Sequence, residues 1–174
     1  MNKKQSALLK QTRDNLPCWG LLFILMILSL VPINIGPLSD ARPMLLLMGV
    51  FYWSLFRPSF PNVFMLFLAG LFYDSFAATP FGLTSLILIG THALISYQRK
   101  LLLYQPFWIL WGIYSILAAI ASVLLWLIHM VLSLGYVPVS AYIMDILISV
   151  AFFPFIVSLL KIANPPLAQH YNKK

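Results

Sequence analysis

The chain has 174 residues, of which 61% are hydrophobic and only 9% charged, with a net charge of +7 and a mean hydropathy of +0.92. Soluble domains carry roughly 25% charged residues, so most of this surface cannot face water. A single cysteine, Cys18, excludes an internal disulfide and reads as a small apolar residue at a helix start. No Cys/His spacing resembles a metal site, and the basic residues lie almost wholly between or outside apolar runs, so nucleic-acid binding is set aside in favour of a membrane explanation.

Residues 1–16 form a basic segment, with Lys3, Lys4, Lys10 and Arg13 ahead of the first apolar run. That run ends in Val31-Pro32-Ile33-Asn34-Ile35 without a small-residue cleavage site, so it reads as a retained first helix. Six apolar stretches follow one another at 17–35, 43–56, 62–78, 83–98, 106–134 and 139–162, with a tail at 163–174. A bilayer span takes about 20 residues, and the second, third and fourth stretches are short by that measure. Gly36-Pro37, Arg57-Pro58-Ser59-Phe60-Pro61, Thr79-Pro80-Phe81-Gly82, Gln105-Pro106 and Gly135-Tyr136-Val137-Pro138 break the chain between them. Pro154, inside the last stretch, predicts a kink. The expected fold is all-α: one compact membrane domain over 1–174, a bundle of about six transmembrane helices.

The basic residues predict its orientation. With the N-terminus in the cytoplasm, Arg57, Arg99, Lys100, Lys161, Lys173 and Lys174 also fall inside, and only Arg42, beside Asp40, falls outside. Ten of the eleven basic residues thus agree with both termini being cytoplasmic. Trp19, Trp53, Tyr104 and Trp108 lie near predicted helix ends, where interfacial anchors belong.

There are no glutamates, and Asp74 and Asp145 stand within apolar stretches, where a charge is costly and usually faces protein or water. At about 1.5 Å per residue, Asp74 lies roughly 6 Å and Asp145 roughly 9 Å from the outer ends of their helices. His129 belongs to the same outer layer, while His92 is deeper and reads as a packed, hydrogen-bonded histidine. Small and polar residues share helical faces: Phe67, Gly70, Asp74 and Ala78 in the third stretch; Gly112, Ser115, Ala119, Ser122, Trp126 and His129 in the fifth; Ala141, Asp145 and Ser149 in the sixth. Such faces let membrane helices approach and bond. Asp74, Asp145 and His129 are therefore either polar glue inside the bundle or the lining of a ligand or partner site. For Asp74 the candidate partners by depth are His129, Arg42 and Asp145. Tyr73-Asp74 has some likeness to intramembrane aspartyl proteases, but Asp145 follows Tyr142-Ile143-Met144 rather than the Gly-x-Gly of their second motif. No phosphate loop, nucleophile elbow or metal cluster is present, and no cofactor is implied.

Tyr52-Trp53, then Arg57-Pro58, then Gly70-Leu71-Phe72-Tyr73-Asp74 and Pro80-Phe81-Gly82-Leu83-Thr84-Ser85-Leu86 form a series that resembles the bacterial rod shape-determining protein MreD family. The detailed similarity covers roughly 52–90, and the rest is similar in hydropathy and length. Ala77-Ala78 depart from the pattern, standing where relatives often place a glycine. The resemblance implies a non-enzymatic inner-membrane component of the cell-wall elongation machinery that binds MreC and works with MreB, RodA and the elongation transpeptidase. It also implies a fold related to the substrate-binding (S) components of vitamin transporters, which keeps a small-molecule-binding module as the alternative. Arg57, Pro58, Gly70, Asp74, Gly82, His129 and Asp145 are the structural or partner-binding candidates.

Reporter fusions test the orientation. Those after Asn62 and at Lys174 are expected to report the cytoplasm and one after Pro80 the outer side; a cytoplasmic signal at Pro80 would break the six-helix map.

Overall fold

The computed structural model describes residues 18–31, 43–57, 60–77, 79–132 and 139–163. Among the described residues there are six α-helices and no strand: α1 Cys18–Leu30, α2 Leu45–Phe56, α3 Val63–Ala77, α4 Leu83–Leu102, α5 Phe107–Leu132 and α6 Val139–Ala163. By length and composition α5 and α6 can cross a bilayer, while α1, α2 and α3 are shorter apolar helices. Large apolar side chains such as Phe23, Phe64, Phe76, Leu127 and Phe155 point outward. In water such a surface would drive aggregation; against acyl chains it is matched.

The architecture is organised around α2. Eleven of its residues, every one but Phe56, are buried. At about 1.5 Å per residue it is roughly 18 Å long, well short of a hydrocarbon core of about 30 Å. Its terminal backbone groups therefore end inside the bundle and need partners there. At the N-terminus, Met44 N–H donates to Ser149 Oγ of α6 at 2.8 Å, and Leu46 N–H donates to Ser29 Oγ of α1 at 3.0 Å. At the C-terminus, Arg99 Nε of α4 donates to the Leu55 carbonyl at 2.7 Å. Three different helices thus supply the side chains that complete one.

Packing around α2 is close and aromatic. A Cβ on Gly49 would meet Leu25 Cδ1 at 2.8 Å, so α1 crosses where α2 has no side chain. Tyr114 of α5 stacks on Phe153 of α6 with ring centroids 4.3 Å apart, and Phe51 of α2 meets both rings edge-on. Such aromatic pairs contribute beyond their burial. Ser54 Oγ and His92 Nδ1, 2.8 Å apart, link α2 to α4, so His92 is a bonded packing residue. Trp53 is 0% exposed and sits in this core, against Phe60; it is not the interfacial anchor its position suggested. Trp108 and Tyr104, 72% and 79% exposed, do face outward.

The remaining helices form two pairs, α3 with α4 and α5 with α6, each packed against α2 or against a helix that is, and the pairs touch each other little. Helix α4 runs to Leu102, past the expected end at 98, so Arg99 and Lys100 belong to its last turn rather than to a loop. In α5 the buried face is Tyr114, Ala118, Ala121 and Ser122, offset from the predicted row; Gly112 is exposed, and Ser115 bonds back to its own helix at Trp111 O. Pro154 lies inside α6, where Ser158 Oγ donates to its carbonyl.

Replacing Ser29 or Ser149 by Ala leaves an N–H at the start of α2, that of Leu46 or of its N-cap Met44, without its acceptor. Each variant is expected to lose about 1 kcal/mol of stability, the typical worth of a helix cap, as a lower unfolding midpoint in detergent. Unchanged midpoints would show that α2 does not depend on these caps.

Candidate functional site

Two ends of the bundle differ in chemistry. One is formed by the end of α2, the end of α4, the end of α6 and the starts of α1 and α5, and it holds every described Lys and Arg: Arg57, Arg99, Lys100 and Lys161. There Arg57 Nη1 donates to Cys18 Sγ at 3.2 Å, and Lys161 Nζ sits 5.7 Å from the Phe107 ring centre. The other end, where α3, α5 and α1 finish and α2, α4 and α6 begin, holds Asp74, Asp145 and His129.

Asp74 is 1% exposed, in the last turns of α3. Its carboxylate accepts from Thr79 Oγ1 at 2.7 Å, from Gly82 N–H at 2.8 Å and from Thr84 N–H at 3.3 Å. The last two are among the unpaired amides at the start of α4, so the side chain caps a helix other than its own. A carboxylate fits there because it accepts several bonds and meets the positive end of the helix dipole. The geometry depends on Gly82, whose φ of +89° turns the chain so that its amide and that of Thr84 both point at α3. One turn back, a Cβ on Gly70 would collide with the Cα, Oγ and amide nitrogen of Ser85, all under 3.0 Å away. Ser85 Oγ then donates to the Phe67 carbonyl at 2.8 Å. Gly70, Asp74 and Gly82 therefore act as one device that closes the α3–α4 hairpin.

Asp74 does not pair with His129 or Asp145; its partners are a threonine and two backbone amides of its own hairpin. Arg42, the third candidate, and Pro58 lie outside the described residues, as does Ala78. His129 and Asp145 are brought together instead at a cavity of about 300 Å³ between the two helix pairs. The α3–α4 side contributes Tyr73, Thr79 and Thr84, the α5–α6 side His129, Tyr142 and Asp145, and Ser29 with Leu46 and Leu47 forms the floor. His129 Nδ1 lies 2.9 Å from the Leu125 carbonyl and 3.0 Å from Tyr142 Oη, which ties α5 to α6 at the cavity wall. Thr79 and Thr84 join the two features: both line the cavity, while one bonds Asp74 through its hydroxyl and the other through its amide. Arg57 is remote from all of this, at the basic end.

The match to the family of rod shape-determining protein MreD runs over residues 14–163, well beyond the motif region. The chain belongs to the MreD family. Its members determine rod shape, are proteins of the inner membrane and are not known as enzymes. No curated protein and no solved structure matches this MreD-family chain, and nothing in these comparisons supports a likeness to transporter substrate-binding components.

Sequence reasoning missed Thr79, Ser29 and Tyr142 as polar partners. The signal for Thr79 was its place five residues after a buried aspartate at a turn.

Asp74→Asn keeps one carbonyl acceptor but turns an NH₂ toward groups that donate. It is expected to lose about 1–3 kcal/mol and to accumulate at a reduced level. Asp74→Leu removes both acceptors, leaves two amides of α4 unmet, and is expected to abolish stable accumulation. Equal levels of wild type and both variants in membrane fractions would show that the cap is dispensable.

Proposed function

We propose that this chain is a non-enzymatic, multi-pass scaffold of the cell-wall elongation machinery, binding an MreC-like bitopic membrane protein through its helix faces. The observation that carries the reading is the family match over residues 14–163. MreB, RodA and the elongation transpeptidase are the further partners that family resemblance supplies.

The internal chemistry supports a structural part. Asp74, the most buried acid among the described residues, is engaged by three donors in holding the start of α4. The clustering of Arg57, Arg99, Lys100 and Lys161 at one end supports placing that end, and with it both termini, in the cytoplasm. The outward apolar faces of α3 and α5 offer surface to lipid and to a single-pass helix alike.

A second reading, a small-molecule-binding membrane module, is favoured by one observation: the cavity of about 300 Å³, at the lower end of ligand-site volumes, with several polar side chains over an apolar floor. A compound that stays with the protein through purification and is lost from Leu125→Trp would favour this reading.

Mild-detergent extraction of the tagged full-length chain is expected to recover the MreC-like partner. Gly70→Leu, which drives α3 away from Ser85, is expected to reduce that recovery or the protein level several-fold. A protein that accumulates normally and recovers no such partner would overturn the scaffold reading.

A further inference from the structure

The basic end carries a second cavity, of about 250 Å³, separate from the one between the helix pairs. Its walls are Phe56 of α2, Phe107 and Leu110 of α5, and Phe153 and Val157 of α6. At about 30 Å³ per water-sized group, it has room for roughly eight methylenes. Three side chains with polar groups join this largely apolar lining: Tyr52 of α2, Gln105, in the turn before α5, and Lys161, in the last turn of α6.

Lys161 is exposed, and its ammonium lies 5.7 Å from the Phe107 ring centre. A cation–π contact at an exposed site is weak, about 0.5–1 kcal/mol, so the ammonium can exchange it for an anion at little cost. The described carboxylates, Asp74 and Asp145, both lie at the opposite end of the bundle. Arg99 and Lys100 precede Leu103, another lining residue, by about one turn. An apolar slot with an ammonium at its edge, on a bundle end where the described charges are all positive, is complementary to a hydrocarbon chain ending in a negative head. Basic pockets between membrane helices are suited to anionic lipid head groups for this reason.

We propose that this slot is a binding site for an anionic phospholipid, with the first methylenes of an acyl chain between Phe107 and Val157 and the phosphodiester on Lys161. Gln105 supplies a neutral amide donor beside it. The site goes beyond the scaffold reading and does not rest on it: it makes one lipid a bound component of the α2–α5–α6 packing, not general solvent.

The test uses the full-length chain in mild neutral detergent, with dioleoylphosphatidylglycerol or dioleoylphosphatidylcholine added, and counts retained lipid by native mass spectrometry. Wild type is expected to retain phosphatidylglycerol about five-fold over phosphatidylcholine, the factor one lysine near an anionic head supplies. Lys161→Gln, at an exposed position that folding tolerates, is expected to abolish the preference, and Lys100→Gln, outside the slot, to keep it. Leu110→Trp, which fills the slot, is expected to lose both lipids. Equal retention of the two lipids by wild type would overturn the proposal. So would a preference that survives Lys161→Gln, one that Lys100→Gln removes to the same degree, or wild-type retention by a folded Leu110→Trp.

Discussion

Backbone amides and carbonyls at helix ends must find partners, and inside a bilayer water cannot supply them. A long helix escapes by ending at the interface. A helix as short as α2 cannot, and α4 begins at a turn that is itself tucked against α3. Both are completed by side chains from elsewhere: Ser29, Ser149 and Arg99 for α2, Asp74 for α4. The polar residues of this apolar chain are spent largely on that obligation, which is why a protein with so few charges keeps one of them at 1% exposure. Each unmet buried group costs about 1–3 kcal/mol, a sizeable part of the net stability of a whole domain.

With α2 as a common support, the α3–α4 and α5–α6 pairs can stand apart without unfolding either. The cavity near His129 and Asp145 lies between them, and the slot near Lys161 lies where α2, α5 and α6 meet. The two voids sit at opposite ends and have opposite character, one with an acid and hydroxyls, the other with aromatics and an ammonium. A protein of a family that determines rod shape thus presents distinct chemistry at its two ends, while its flanks remain apolar.

Helix count and approximate bounds were legible because apolar runs and Pro/Gly breakers report them directly. The closeness of α3 and α4 was legible in Gly70 and in the Pro80–Gly82 turn. What Asp74 bonds was not, because reading residue types directs attention to charged or polar side chains at similar depth, and two of its partners are backbone amides that every residue owns. Trp53 was misread for a related reason: hydropathy does not separate a helix bathed in lipid from one enclosed by other helices, and an indole near the end of a run suits either. In α5, small residues occur on more than one face, so spacing alone could not choose Ala118 and Ala121 over Gly112 and Ser115. Hydropathy ends α4 before Arg99 because the residue is charged, whereas its guanidinium bonds the Leu55 carbonyl from within the helix.

The caps also impose an order on biogenesis. The α3–α4 hairpin carries its own closure, since Asp74 reaches Thr79, Gly82 and Thr84 within ten residues, and it is complete as soon as it leaves the ribosome and enters the membrane. Helix α2 is made earlier yet matures later: the hydroxyl that receives the Met44 amide belongs to Ser149, 105 residues downstream. Until α6 arrives, the central helix of the bundle has an open end, so truncation before Ser149 removes not an outer strut but the last fastening of the core.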